Sequence, residues 1–129
     1  MQVKLDAGQL LGNIKHHPDY ERVGMILCHN GVVRGTSRDG RRVTGLRVAV
    51  NEKRLTQVID EQRKRPGIID IQVEIAADKD LAVGDDVMLL VVAGDIRENV
   101  IASLTESLEA IKTTVTAKTE FFDDAGTTG

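Results

Sequence analysis

A chain of 129 residues, 41% hydrophobic and 29% charged, is long enough for one domain with one real core. Its formal net charge of -3 excludes a whole-protein polyanion binder, and Tyr20, Phe121 and Phe122 give no stacking platform for nucleic acid. No stretch is long and apolar enough to span a bilayer, and the N-terminus lacks a signal-peptide core, so a cytoplasmic protein without a membrane partner is expected.

In chain order, Gln2 to Leu5 alternates and suggests a short strand. Ala7 to His17 predicts a helix with Leu10, Leu11 and Ile14 on one face, ended by Pro18. His16 and His17 have no further ligand at metal spacing, so they read as partners of the helix C-terminus and no metal is expected. Arg22 to Arg34 predicts a long strand, with Gly31 marking a bulge or a close backbone approach. Cys28 reads as a buried small hydrophobe within it. His29 follows directly, so the two face opposite sides and cannot form a nucleophile–base pair.

The next stretch carries Arg34, Arg38, Arg41 and Arg42 on one Gly-rich connection. Ser37-Arg-Asp-Gly40 has turn chemistry, with Gly40 free to take positive φ. Clustered guanidiniums repel one another unless an anion sits among them, and their forks suit phosphate and carboxylate. The bland alternative is a solvated hairpin with ordinary surface arginines.

Leu46 to Val50 alternates as a strand with one buried face. Asn51 is a plausible N-cap for a helix through Arg65, stopped by Pro66-Gly67. Ile69 to Ile75 has strict period two. Asp78 to Asp86 is a polar connection with a turn at Val83-Gly84-Asp85. Val87 to Val92 is continuously apolar, as in a central strand covered on both faces. Asp95 and Glu98 read as a capping box. The helix that follows has Ile96, Val100, Ile101, Leu104, Leu108, Ile111 and Val115 at helical spacing. A final strand over Thr116 to Phe122 closes a single domain over 1–122, and 123–129 reads as a frayed tail. The order predicts an α+β fold, a mixed two-layer arrangement with helices on a mostly antiparallel sheet.

Arg97 falls in the first turn of the last helix, where free N–H groups already favour an anion. Lys112 lies near its end, about 22 Å away at 1.5 Å per residue. The two cannot touch one small ligand in one chain, so a site using both must draw them from two chains, most simply across a twofold axis. Lys112 and Lys118 can also be read as simple complements to a helix C-terminus.

Gly31-Val-Val-Arg-Gly-Thr-Ser-Arg-Asp-Gly40, followed by Val43-Thr-Gly-Leu46, resembles the arginine-loop motif of the MoaE family, the large subunit of molybdopterin synthase. Leu81-Ala-Val-Gly-Asp-Asp-Val87 resembles that family's turn, and Ala93-Gly-Asp-Ile-Arg97 with Ile111-Lys-Thr113 resembles its later histidine–arginine and leucine–lysine segment. The match is to a divergent and shortened member and runs in order over roughly residues 24 to 120. It implies an α/β hammerhead-type fold, a homodimer, no cofactor, and a small ubiquitin-like sulfur-carrier subunit (MoaD-like) with a C-terminal thiocarboxylate. The implied activity passes that sulfur to a cyclic pterin phosphate in molybdenum cofactor biosynthesis. By the same resemblance Lys112 and Lys118 are the candidate catalytic residues, and Arg34, Arg38 and Arg97 the substrate-binding ones. Ala76 and Ile96 stand where the family has histidines. The family's second lysine falls at Thr119, and Lys118, one residue early, is expected on the opposite strand face. The alternative is a catalytically inactive paralogue, a dimeric module binding an anion or a ubiquitin-like protein.

Overall fold

The computed structural model describes residues 5–123. Most of the strand expected over Gln2 to Leu5 and most of the expected tail lie outside them. Helix α1 spans Ala7–Lys15, and Asp6 caps it by accepting from the Gln9 N–H. At its end His16 Nδ1 bonds the Gly12 carbonyl at 2.7 Å, the role expected of a histidine there. The chain then forms strand β1 (Met25–Val32) and strand β2 (Val43–Val50). Helix α2 (Glu52–Arg63) starts at Asn51, whose side chain accepts from the Arg54 N–H as its composition predicted. Strands β3 (Ile68–Ile75), β4 (Asp80–Ala82) and β5 (Asp86–Gly94) follow. Helix α3 (Arg97–Ala110) runs into a π-helical turn, Ile111–Val115, and strand β6 (Thr116–Phe122).

The expected α+β class holds, and the strands divide into two antiparallel three-stranded sheets, β1-β5-β3 and β4-β2-β6. The apolar run in β5 is central and covered on both faces, as its sequence demanded. On one face Leu10 and Ile14 of α1 pack on Leu89, Val91 and Ala93. On the other, Val58, Ile59, Val100 and Ile111 pack on Leu90 and Val92. A second core joins the sheets, with Val33, Val43, Leu46 and Val48 against Ala76 and Leu81. The β1 register shifts between Gly31 and Val32, the bulge its glycine suggested.

Several expectations are corrected. Cys28 is exposed, because β1 is an edge strand and α1 covers β5 rather than this position. The polar connection after β3 contains β4, three residues too short to carry a period. Asp95 is not the cap of α3. The N-cap is Ile96, whose side chain cannot accept, and Asp95 instead accepts from the Ile96 N–H and from Asn99 Nδ2. Those hydrogen bonds, Asn99 first, hold the Asp95 carboxyl below the usual carboxylate range. The buried face of α3 is also rotated from expectation. It runs through Val100, Ser103 and Ser107, leaving Ile96 and Ile101 about half exposed.

Among the described residues no helix is long and apolar enough to cross a membrane, and no cluster of His, Cys, Asp or Glu could hold a metal ion.

Candidate functional site

The hairpin between β1 and β2 is built from its own polar groups. Ser37 N–H donates to the Arg41 carbonyl, Gly40 N–H donates to the Ser37 carbonyl, and Gly40 takes φ +87°. Ser37 is buried; its hydroxyl donates to the Asp39 carboxylate and accepts from the Arg41 N–H. The Ser37 hydrogen bond, with help from the Arg41 N–H and guanidinium, holds the Asp39 carboxyl below its ordinary value.

This framework separates the arginines instead of gathering them. Arg34 Nε donates to the Thr36 carbonyl at 2.7 Å. Arg41 lies over the Phe122 ring, 3.6 Å from its centre. Arg42 pairs with Asp123, whose N–H also donates to the Arg42 carbonyl. Arg38 alone of the four lines the neighbouring cavity.

That cavity has a volume of about 570 Å³ and lies between the two sheets and the π turn. Its apolar wall includes Leu46, Val48, Ile75, Val87, Met88 and Ile111. Its polar wall is Ser37, Arg38, Asp39, Lys112, Lys118 and Glu120. A volume in this range and a mostly apolar wall carrying a few charged groups are typical of small-ligand sites.

Lys112 is positioned by the π turn. Ile111 and Val115 are buried and anchor its ends, while Lys112, Thr113 and Thr114 face outward. Thr116 N–H donates to the Ile111 carbonyl, closing the wider turn, and Arg54 Nε of α2 donates to Thr114 Oγ1. The turn also sets the phase of β6. Thr116, Lys118, Glu120 and Phe122 all reach the cavity. The expectation that Lys118 faces away is therefore wrong: it shares the cavity with Lys112. Among the described residues Arg38, Lys112 and Lys118 have no hydrogen-bond or ion-pair partner.

Arg34 and Arg97 are not brought into this wall. Arg97 opens α3, with its Nε 3.3 Å from Glu98, and the whole helix separates it from Lys112. Ala76 is buried in the second core, and Ile96 is exposed at the N-cap of α3. Sequence reasoning missed Ser37, Asp39 and Glu120. The period-two spacing of Lys118, Glu120 and Phe122 was a signal for Glu120 once Lys118 was placed.

A comparison with family models matches residues 2–114 to the MoaE protein family. The chain belongs to the MoaE family. A comparison with curated proteins finds no match. Among solved structures, molybdopterin synthase from Staphylococcus aureus is 23% identical, with a TM-score of 0.78 over 95% of this chain and 88% of that one. A molybdopterin biosynthesis MoaE protein from Burkholderia ambifaria is 18% identical, with a TM-score of 0.74 over 98% and 92%. A chain of the complex of subunits 1 and 2 of molybdopterin-converting factor from Helicobacter pylori is 18% identical, with a TM-score of 0.69 over 97% and 88%. These likenesses show that this MoaE chain shares their fold.

Ser37→Ala should raise the Asp39 pKa toward that of an ordinary carboxyl, readable by a carboxyl-carbon NMR titration. The sign follows from linkage. A depressed folded pKa stabilises above the unfolded value, about 3.9, and that contribution is lost as pH falls through the folded value. Without Ser37 the hairpin therefore loses that contribution at neutral pH and its stability falls less steeply on acidification, and an unchanged Asp39 titration would refute this account of the loop.

Proposed function

We propose that the chain is the large subunit of a molybdopterin synthase and that the cavity holding Arg38, Lys112 and Lys118 is its reaction site. Family membership supports a place in molybdenum cofactor biosynthesis. The observation that carries the site is the group of three unpartnered cations on the wall of a largely apolar cavity. Such a wall favours a bound anion, because the apolar surroundings weaken screening and the three cations outnumber the two carboxylates, Asp39 and Glu120, on the same wall.

In this reading a small ubiquitin-like subunit inserts a C-terminal thiocarboxylate, and its sulfur passes to a cyclic pterin phosphate. Arg38 and Lys118 hold the phosphate or carboxylate oxygens. The Lys112 ammonium sits by the acyl carbon and stabilises the negative charge that develops as water adds there and the carbon–sulfur bond breaks, which leaves the small subunit with a C-terminal carboxylate. Arg97 serves the same site only if a second copy supplies it, which makes a homodimer part of the proposal. The inactive-paralogue reading draws on Ala76 and Ile96, which stand at two positions where histidines were expected from the family resemblance.

Reconstitution tests the choice. Purified chain, thiocarboxylated small subunit and cyclic pterin precursor should yield dithiolene product. A stable complex without product would favour the inactive module, and no complex at all would overturn both readings.

A further inference from the structure

The π turn that carries Lys112 is gripped from outside the site, by the start of α2. Asn51 N–H donates to the Val115 carbonyl at 2.8 Å. Three residues on, Arg54 Nε donates to Thr114 Oγ1 at 3.2 Å. Arg54 is half-buried and is not part of the cavity wall. Its backbone is fixed, since Arg54 N–H donates to Asn51 Oδ1 at 3.0 Å. Its guanidinium is steadied by Nη1, which donates to Gln57 Oε1 at 3.3 Å. Among the described residues it pairs with no carboxylate, so both of its side-chain bonds go to neutral acceptors.

The Thr114 hydroxyl passes this hold on. It accepts from Arg54 and donates to the Ala110 carbonyl at 2.6 Å. Arg54, Thr114 and Ala110 thus form one hydrogen-bonded chain that closes over the backbone from residue 110 to residue 114, and Lys112 lies midway between those ends. Bonds linked in this way polarise and strengthen one another. A π turn is a rare geometry that occurs mostly at functional sites. If this one relaxed toward an α turn, the direction of Lys112 relative to the cavity wall would change. A bond from a neighbouring helix to the middle of the turn resists that change.

We propose that Arg54 is a positioning residue for Lys112: through Thr114 it holds the π turn in the geometry that presents the Lys112 side chain to the cavity. This rests on the sulfur-transfer reading for its consequence in turnover, but the hold on Lys112 stands apart from it.

Glutamine separates the bond from the charge. Its Nε2 is as many bonds from Cα as the arginine Nε, so Arg54→Gln keeps a donor for Thr114 and loses the positive charge. Arg54→Met fills similar space with neither. The first readout is the NMR signal of the Lys112 Cε in the free chain, assigned by its loss in Lys112→Arg. It should move in Arg54→Met and stay near its parent position in Arg54→Gln. The second is turnover in the reconstituted complex. Arg54→Met should lower kcat about three- to tenfold, the worth of one hydrogen bond, with KM little changed, and Arg54→Gln should restore most of the rate. Thr114→Val breaks the same bond from the other side and carries the comparison should Arg54→Met not fold. It should be as slow, and adding Arg54→Met to it should cost little more, because the two changes remove one shared bond. An unmoved Lys112 signal or a parent-like kcat in Arg54→Met would overturn the proposal. So would an Arg54→Gln as slow as Arg54→Met, which would assign the effect to the charge. If the parent makes no product, the sulfur-transfer reading fails, and the spectra still decide whether Arg54 places Lys112.

Discussion

Lys112→Ala is expected to cut sulfur transfer by about 10²–10⁴-fold while leaving the complex with the small subunit intact. The range is that of a single positioned proton-transfer or charge-stabilising group. The side chain is exposed and unpartnered, and the turn that carries it is held by its neighbours. Buried Ile111 and Val115, the Thr116 N–H and the Arg54 bond to Thr114 all survive the change. Stability should therefore move by no more than about 0.5 kcal/mol, as for an ordinary surface substitution. Single-turnover kinetics with saturating partner isolates the chemical step, and titration calorimetry reads partner binding. A variant as fast as the parent would remove Lys112 from the mechanism. One that no longer binds the partner would show that the lysine docks the subunit rather than acting on its sulfur.

The parts of the fold legible in the sequence are those where one local rule was enough. The apolar run of β5 required cover on both faces, and helices supply it. Asn51 stops one element and starts another with a single side-chain acceptor. Thr116 to Phe122 is the observed span of β6. Failures arose where two rules competed. Asp95 and Glu98 fit a capping box, but Asp95 accepts from Ile96 and Asn99, and the helix begins after Ile96. Ile101 fits an apolar stripe, yet Ser103 and Ser107 occupy the buried face, where Ser103 Oγ donates to Gln62.

The site was legible in its residue types more than in its grouping. Four arginines on one loop suggested a single anion site, but the hairpin's internal bonds point them different ways. Arg34 is spent on the Thr36 carbonyl, Arg41 on the Phe122 ring and Arg42 on Asp123, which leaves Arg38 for the cavity. The phase of Lys118 depended on how α3 ends. A helix that stops in a π turn shifts the strand after it relative to one that stops in an α turn, and no residue in Ile111–Val115 announces that choice.

Replacing Arg38 and Lys118 together with alanine should raise KM for the phosphate-bearing substrate by about 10²–10⁴-fold. Each cation is worth about 1.5–3 kcal/mol as a charge-assisted hydrogen bond to an anion. Arg38 and Lys118 approach from different walls, one from the hairpin and one from β6, so they can hold separate oxygens of one ligand. Two groups on one anion are coupled, so the double variant should lose more than the sum of the single ones if either cation alone can recruit the ligand. It should lose the full sum if each holds its own oxygen. With Lys112 retained, kcat should fall far less than KM rises, because binding and not the bond-breaking step has been weakened. Raising the salt concentration should weaken substrate binding to the parent more than to the double variant, since fewer charges remain to be screened. A double variant with parent-like KM would place the phosphate elsewhere, and Arg34 and Arg97 would then be the residues to test as contributions from a second copy.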